Sequence, residues 1–141
     1  MRNYRSIVVL ALLISSCTTG IDFSNVDYSN LFHDDNSKVW VVNKVTFDGA
    51  VISSNSRLDK DIIIFHQNGV CDFIPLKNLG TGKSKKGKFN IDSQAKEVRI
   101  DFPKESWLYT MYYIFEDSIS LKPTKESASQ LGMQLKPFME L

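Results

Sequence analysis

From residue 38 onward the chain alternates apolar and polar positions in short runs, and no 3.6-residue apolar stripe is long enough to make a helix. The runs at 39–47, resumed at 50–52 after the Asp48-Gly49 turn signal, at 62–66 and at 70–74 are β-branched and aromatic. Gln67-Asn68-Gly69 lies between the last two, and Asn-Gly between apolar runs is a strong hairpin signal. Runs at 88–92, 97–102, 107–115, 118–122 and 131–138 follow. They are separated by Gly-, Pro- and Lys-rich breaks at 75–87, 93–96, 103–105, 116–117 and 123–130. This pattern predicts about eight short strands joined by short turns. Parallel neighbours need long crossovers, so the strands are expected to run antiparallel and up-and-down. The predicted class is all-β, with a small closed barrel as the architecture and a sandwich as the alternative.

Before residue 38 the pattern differs. Residues 18–37 are polar, with one short helical turn predicted around 28–32, and read as a tether. The start is basic at Arg2 and Arg5, and 7–14 is one apolar run, too short for the ~20 residues of a membrane-spanning helix. Ile14, Ser15, Ser16 and Cys17 follow directly. This stretch resembles the lipobox of bacterial lipoproteins. The resemblance implies cleavage before Cys17, a diacylglyceryl thioether on its sulfur and further acylation of its new amino group. It divides the chain into a signal peptide at 1–16, a lipid-anchored tether at 17–37 and a folded domain at 38–141. The expected address is the cell envelope of a bacterium, anchored to a membrane, with the outer membrane favoured. Several buried acyl methylenes at ~0.8 kcal/mol each would make such an anchor stable.

The folded domain carries a second resemblance. Val39-Trp40, the Phe65-His66-Gln67-Asn68-Gly69 hairpin, Gly87-Lys88-Phe89 and the run from Tyr112 to Leu121 resemble the lipocalin-like domains of bacterial lipoproteins. That family implies an eight-stranded barrel that often holds a small apolar ligand. The cavity residues it suggests are Trp40, Phe65, Phe73, Phe89, Tyr112 and Ile114. Matching the family hairpin puts Tyr112, Ile114, Ile119 and Leu121 inside the barrel, and Tyr109, Met111 and Tyr113 outside. Both faces of the 107–115 run are apolar, whereas a strand with one wet face should alternate. Either the N-terminal segment, through Leu31-Phe32, covers the outer face, or Tyr109, Met111 and Tyr113 form a surface for a protein partner.

Composition narrows the function classes. The formal charge of the full chain is +1, and loss of Arg2 and Arg5 takes it to −1. A near-neutral domain gives no electrostatic case for nucleic acid. With Cys17 acylated, Cys71 is the one cysteine left, so no internal disulfide forms, and Cys71 reads as a core residue. Gly80-Thr81-Gly82-Lys83-Ser84 is a partial match to a phosphate loop, but Lys77 stands where the first glycine belongs and no helix pattern follows. Lys83, Lys85, Lys86 and Lys88 read as a solvated loop, or else as a contact for anionic head groups or an acidic partner. His33 and His66 have no metal-ligand spacing, and no nucleophile motif surrounds either. The sequence reading is therefore a non-enzymatic lipoprotein without cofactor. It binds a small apolar ligand or, alternatively, serves as an interaction subunit of an envelope assembly.

Overall fold

The computed structural model describes residues 26–52 and 57–138. The signal, the lipobox residues Ile14, Ser15, Ser16 and Cys17, and the tether as far as residue 25 lie outside the described residues.

The chain forms a short helix α1 (Ser29–His33), then strands β1 (Ser37–Phe47), β2 (Ala50–Val51), β3 (Ile62–His66) and β4 (Val70–Ile74). A 3₁₀ turn (Leu76–Asn78) leads to β5 (Lys85–Asp92), β6 (Glu97–Phe102), β7 (Glu105–Phe115), β8 (Ser118–Pro123) and β9 (Leu131–Pro137). Every pairing is antiparallel. The two-residue β2 folds back on the end of β1, and the other eight strands pair in succession. β1 then pairs with β9 from Trp40↔Pro137 to Phe47↔Leu131. This seam closes the sheet into an eight-stranded barrel and rules out the open sandwich. Closure leaves no long unpaired edge.

Local chemistry sets the corners. The β3–β4 hairpin is the three-residue loop Gln67-Asn68-Gly69, with Gly69 at φ +81°, a left-handed position that favours glycine. Asn68 Oδ1 accepts the Val70 N–H at 3.1 Å and stiffens that loop. The hairpins at 67–69, 93–96 and 116–117 gather at one barrel end. The segments at 57–61, 75–84, 103–104 and 124–130 gather at the other.

Residues 28–37, expected as the end of a tether, are structured. α1 packs into the barrel instead of hanging free, and it plugs the end that carries the three hairpins. Phe32 is fully buried in the core cluster and meets the Phe65 ring edge-on at 5.0 Å. The Trp40 indole N–H donates to the Phe32 carbonyl at 3.0 Å. The Tyr28 N–H donates to Ser93 Oγ at 2.9 Å. Burying a phenylalanine side chain contributes about 1.5–3 kcal/mol, enough to hold one helical turn that has no stability of its own.

The face assignment on β7 needs correction. Tyr109 is 0% and Met111 1% exposed, so both point into the core and neither is available to a partner. Tyr112 is 56% exposed and lies outside the barrel, not in its interior. The reason is a bulge. Met111 pairs with Leu121 and Tyr113 with Ser120, leaving Tyr112 without a partner of its own. One extra residue shifts the side-chain period. Trp107, Tyr109 and Met111 point inward before the bulge, and Ile114 turns inward after it. Tyr113 stays outside, as do Phe115 and Tyr112. Phe32 covers the barrel end and not this strip. Met111→Ser should therefore cost about 2–5 kcal/mol of stability, whereas Phe115→Ser should stay within about 0.5 kcal/mol. Urea unfolding of both variants checks the phase. Equal costs would mean that the bulge is misplaced.

Candidate functional site

The cavity that reaches from solvent to the aromatic core opens at the end opposite α1. It has a volume of about 620 Å³. Phe73, Trp107 and Leu58 are its buried floor. Arg57, Asp59, Asp61, Lys77, Lys83, Lys85 and Glu105 supply its charged groups. An apolar base with convergent polar groups above it is the usual shape of a small-molecule site.

Three segments build this mouth. The first is 57–61, where Leu58 (φ +79°) and Lys60 (φ +64°) both adopt left-handed backbone. A bulky leucine rarely does so. Hydrogen bonds to β1 hold it there: Lys60 N–H to the Val42 carbonyl at 3.0 Å, and Val42 N–H to the Asp61 carbonyl at 2.9 Å. The turn drives the Leu58 side chain into the core and sets Asp61 at the cavity wall. The second segment is the 3₁₀ turn, whose Leu76 N–H donates to Asp61 Oδ1 at 2.8 Å. Burial pushes the Asp61 carboxyl above the usual aspartate range, partly offset by that bond. The third segment joins the starts of β5 and β7. Lys85 Nζ bonds to Glu105 Oε1 and sits 4.1 Å from the Phe102 ring centroid and 5.4 Å from that of Trp107. The Lys85 hydrogen bond is the main reason the Glu105 carboxyl is held below its usual range. Phe73, Phe102 and Trp107 pack edge-on beneath this pair, with Phe102 and Trp107 centroids 4.8 Å apart.

The residues suggested by the sequence divide between the two ends. Phe73 lines the mouth. Trp40, Phe65 and Phe89 lie under or beside α1 at the plugged end, where side chains fill the space: Phe65 meets Phe89 at 4.9 Å. Ile114 packs against the same core, half-buried. Trp40, Phe65, Phe89 and Ile114 are thus packing residues away from the open cavity, and Tyr112 is on the outer surface. Trp107, Leu58, Asp61, Lys85 and Glu105 are mouth residues that the sequence reading missed. The Trp107 position had a signal: it follows the Pro103 break and begins an apolar strand, so it had to lie at a strand end.

Outside the barrel, Tyr112, Tyr113 and Phe115 form a contiguous aromatic strip, with Tyr112–Tyr113 centroids 5.2 Å apart and Tyr113 stacked on Phe115 at 6.5 Å. Phe47 and Tyr112 also flank an outer cleft of about 630 Å³. Of the proposed partner surface, Tyr113 alone is exposed.

Two further constellations bear on chemistry. Ser37 Oγ lies 2.6 Å from His66 Nδ1, and His66 Nε2 lies 2.9 Å from Asp72 Oδ2. Ser84 Oγ donates to Asp72 Oδ1 at 3.2 Å. No local motif marks this array because its residues meet across strands: Ser37 pairs with His66, and Asp72 sits diagonal to it across the hairpin. The array lies on the outer wall, with Ser37 exposed and outside the mouth cavity, and it ties β1, β3 and β4 together. Cys71 is fully buried. Burial first, and Asp72 second, push its thiol up to about 12, so it stays protonated and inert at neutral pH. The lysine-rich loop continues into strand β5, so no helix N-terminus faces Gly80-Thr81-Gly82. Lys86 pairs across from Asp72 and Lys88 from Asp101, which breaks up the basic run. Among the described residues, no three His, Cys, Asp or Glu side chains stand together as a metal site.

No protein-family model matches this chain, and neither does any curated protein or solved structure, so the barrel and its mouth carry the functional reading.

Proposed function

We propose that the chain is a lipid-anchored barrel of the bacterial cell envelope that binds a small, largely apolar ligand in the mouth, without catalysis of its own. The observation that carries this reading is the cavity of about 620 Å³, set over Phe73 and Trp107 and opposite the α1 plug. The lipobox resemblance supports the anchor. The described chain begins at the α1 end, opposite the mouth.

The test is native mass spectrometry of gently purified protein, with cell fractionation of wild type and Cys17→Ser. The reading expects a co-purified small molecule and loss of membrane association in the variant. An empty wild-type protein that stays soluble in both forms would overturn it. The second reading, an interaction subunit of an envelope assembly, is favoured by the exposed Tyr112, Tyr113, Phe115 and Phe47. A stoichiometric protein in the same spectrum, lost in Tyr113→Ser, would select it.

A further inference from the structure

We infer that the ligand of the mouth carries a hydrogen-bond donor such as a hydroxyl, and not a carboxylate, at its polar end, and that Asp61 receives it. This rests on the mouth cavity being the binding site.

Asp61 is 8% exposed and lines the cavity. Its Oδ1 is occupied by the Leu76 N–H, while Oδ2 has no hydrogen-bond partner among the described residues. Oδ2 is open to the cavity, and a ligand that displaces water from it must supply a donor in exchange. The neighbouring groups supply none at short range. Lys85 is committed to Glu105 and to the Phe102 and Trp107 rings. Arg57, Lys77 and Lys83 are exposed, and none makes a salt bridge among the described residues. Arg57 and Lys77 influence Asp61 only through the field, where Asp59 opposes them.

The charges of the mouth nearly cancel. Arg57, Lys77, Lys83 and Lys85 face Asp59, Asp61 and Glu105. Such a rim gives little net attraction to an ion, and exposed pairs are worth little. The buried carboxylate is different. A ligand carboxylate brought beside it would meet a like charge where water screens poorly. A hydroxyl donates to Oδ2 with no charge to desolvate, while the apolar body lies on Phe73, Leu58 and Trp107. Rejection of a ligand that cannot satisfy a buried polar group is the strongest form of selection available to such a site.

The test titrates 4-phenylbutan-1-ol and 4-phenylbutanoate into the full chain carrying Cys17→Ser, so that no acyl group competes. Calorimetry gives Kd, and Trp107 emission confirms the place, since Trp40 lies beneath α1. The alcohol should bind at least about fivefold tighter than the carboxylate. Asp61→Asn, which keeps an oxygen for the Leu76 N–H, should narrow that ratio below about twofold with an unchanged thermal midpoint. Equal binding, a preference for the carboxylate, or a preference that survives in Asp61→Asn overturns the donor assignment while leaving the cavity as a site. Absence of binding by both compounds up to millimolar concentration overturns the cavity itself.

Discussion

Trp40→Ala should lower the unfolding free energy by about 3–5 kcal/mol. Three contributions converge on this indole. It is fully buried between β3 and β9, where Trp40 pairs with Ile63 and with Pro137. Its N–H holds the Phe32 carbonyl, so truncation also leaves a buried acceptor unmatched. Its ring lies against Phe32, 6.3 Å between centroids, so the helical plug loses its support. Trp40→Phe separates these effects: it keeps most of the ring and loses the donor, and should cost about 1–2 kcal/mol beyond the area lost. Thermal unfolding followed by far-ultraviolet circular dichroism reads both. A fall of less than about 1 kcal/mol for the alanine variant would mean that α1 does not close this end.

Gly132→Val should cost about 1–3 kcal/mol, through crowding and not through loss of contacts. Gly132 lies on β9 opposite Thr46, at the seam where the barrel closes. A Cβ there would overlap Thr46 Oγ1 and stand 3.0 Å from the Leu121 carbonyl oxygen and 3.4 Å from Pro123 Cδ. Thr46 Oγ1 is the nearest obstacle, and behind it the Leu121 backbone cannot yield without parting β8 from β9. Gly132→Ala should therefore be partly rescued by Thr46→Ala, a coupling that a double-mutant cycle measures directly. Simple additivity of the two changes would mean that the seam is more loosely packed than described.

The strands were legible because the alternation survives almost unchanged from sequence to fold. β3, β4 and β6 begin and end where the apolar runs do. β5 starts at Lys85, three residues before its apolar alternation, because Lys85 pairs with Phe73 of β4 although Lys-Lys-Gly resembles loop. Tertiary pairing overrides local composition there. β7 starts at Glu105 for the same reason, opposite Phe102 of β6. The helical turn was also legible, one residue out of place, but its role as a plug was not: nothing in its own sequence shows that Phe32 meets Phe65.

The faces of β7 were not legible. A period-two pattern that is apolar on both faces cannot locate a bulge, and the bulge at Tyr112 decides which aromatic residues are core and which are surface. The mouth was hidden for a related reason. Leu58 and Asp61 sit in a polar stretch that reads as loop, and two left-handed residues, neither of them glycine, aim them inward. Trp40 drew the reading because it opens the barrel, yet Trp107, at the opposite end, floors the cavity.

On the proposed function, the barrel is plugged by α1 at one end and takes a ligand at the other. Amide chemical-shift mapping with 4-phenylbutan-1-ol tests it most directly. Shifts should fall on Leu58, Asp61, Phe73, Leu76, Lys85 and Trp107, and leave Phe32, Trp40 and Phe65 unmoved. Shifts centred on Phe32 and Trp40, or on the outer strip from Tyr112 to Phe115, would contradict it.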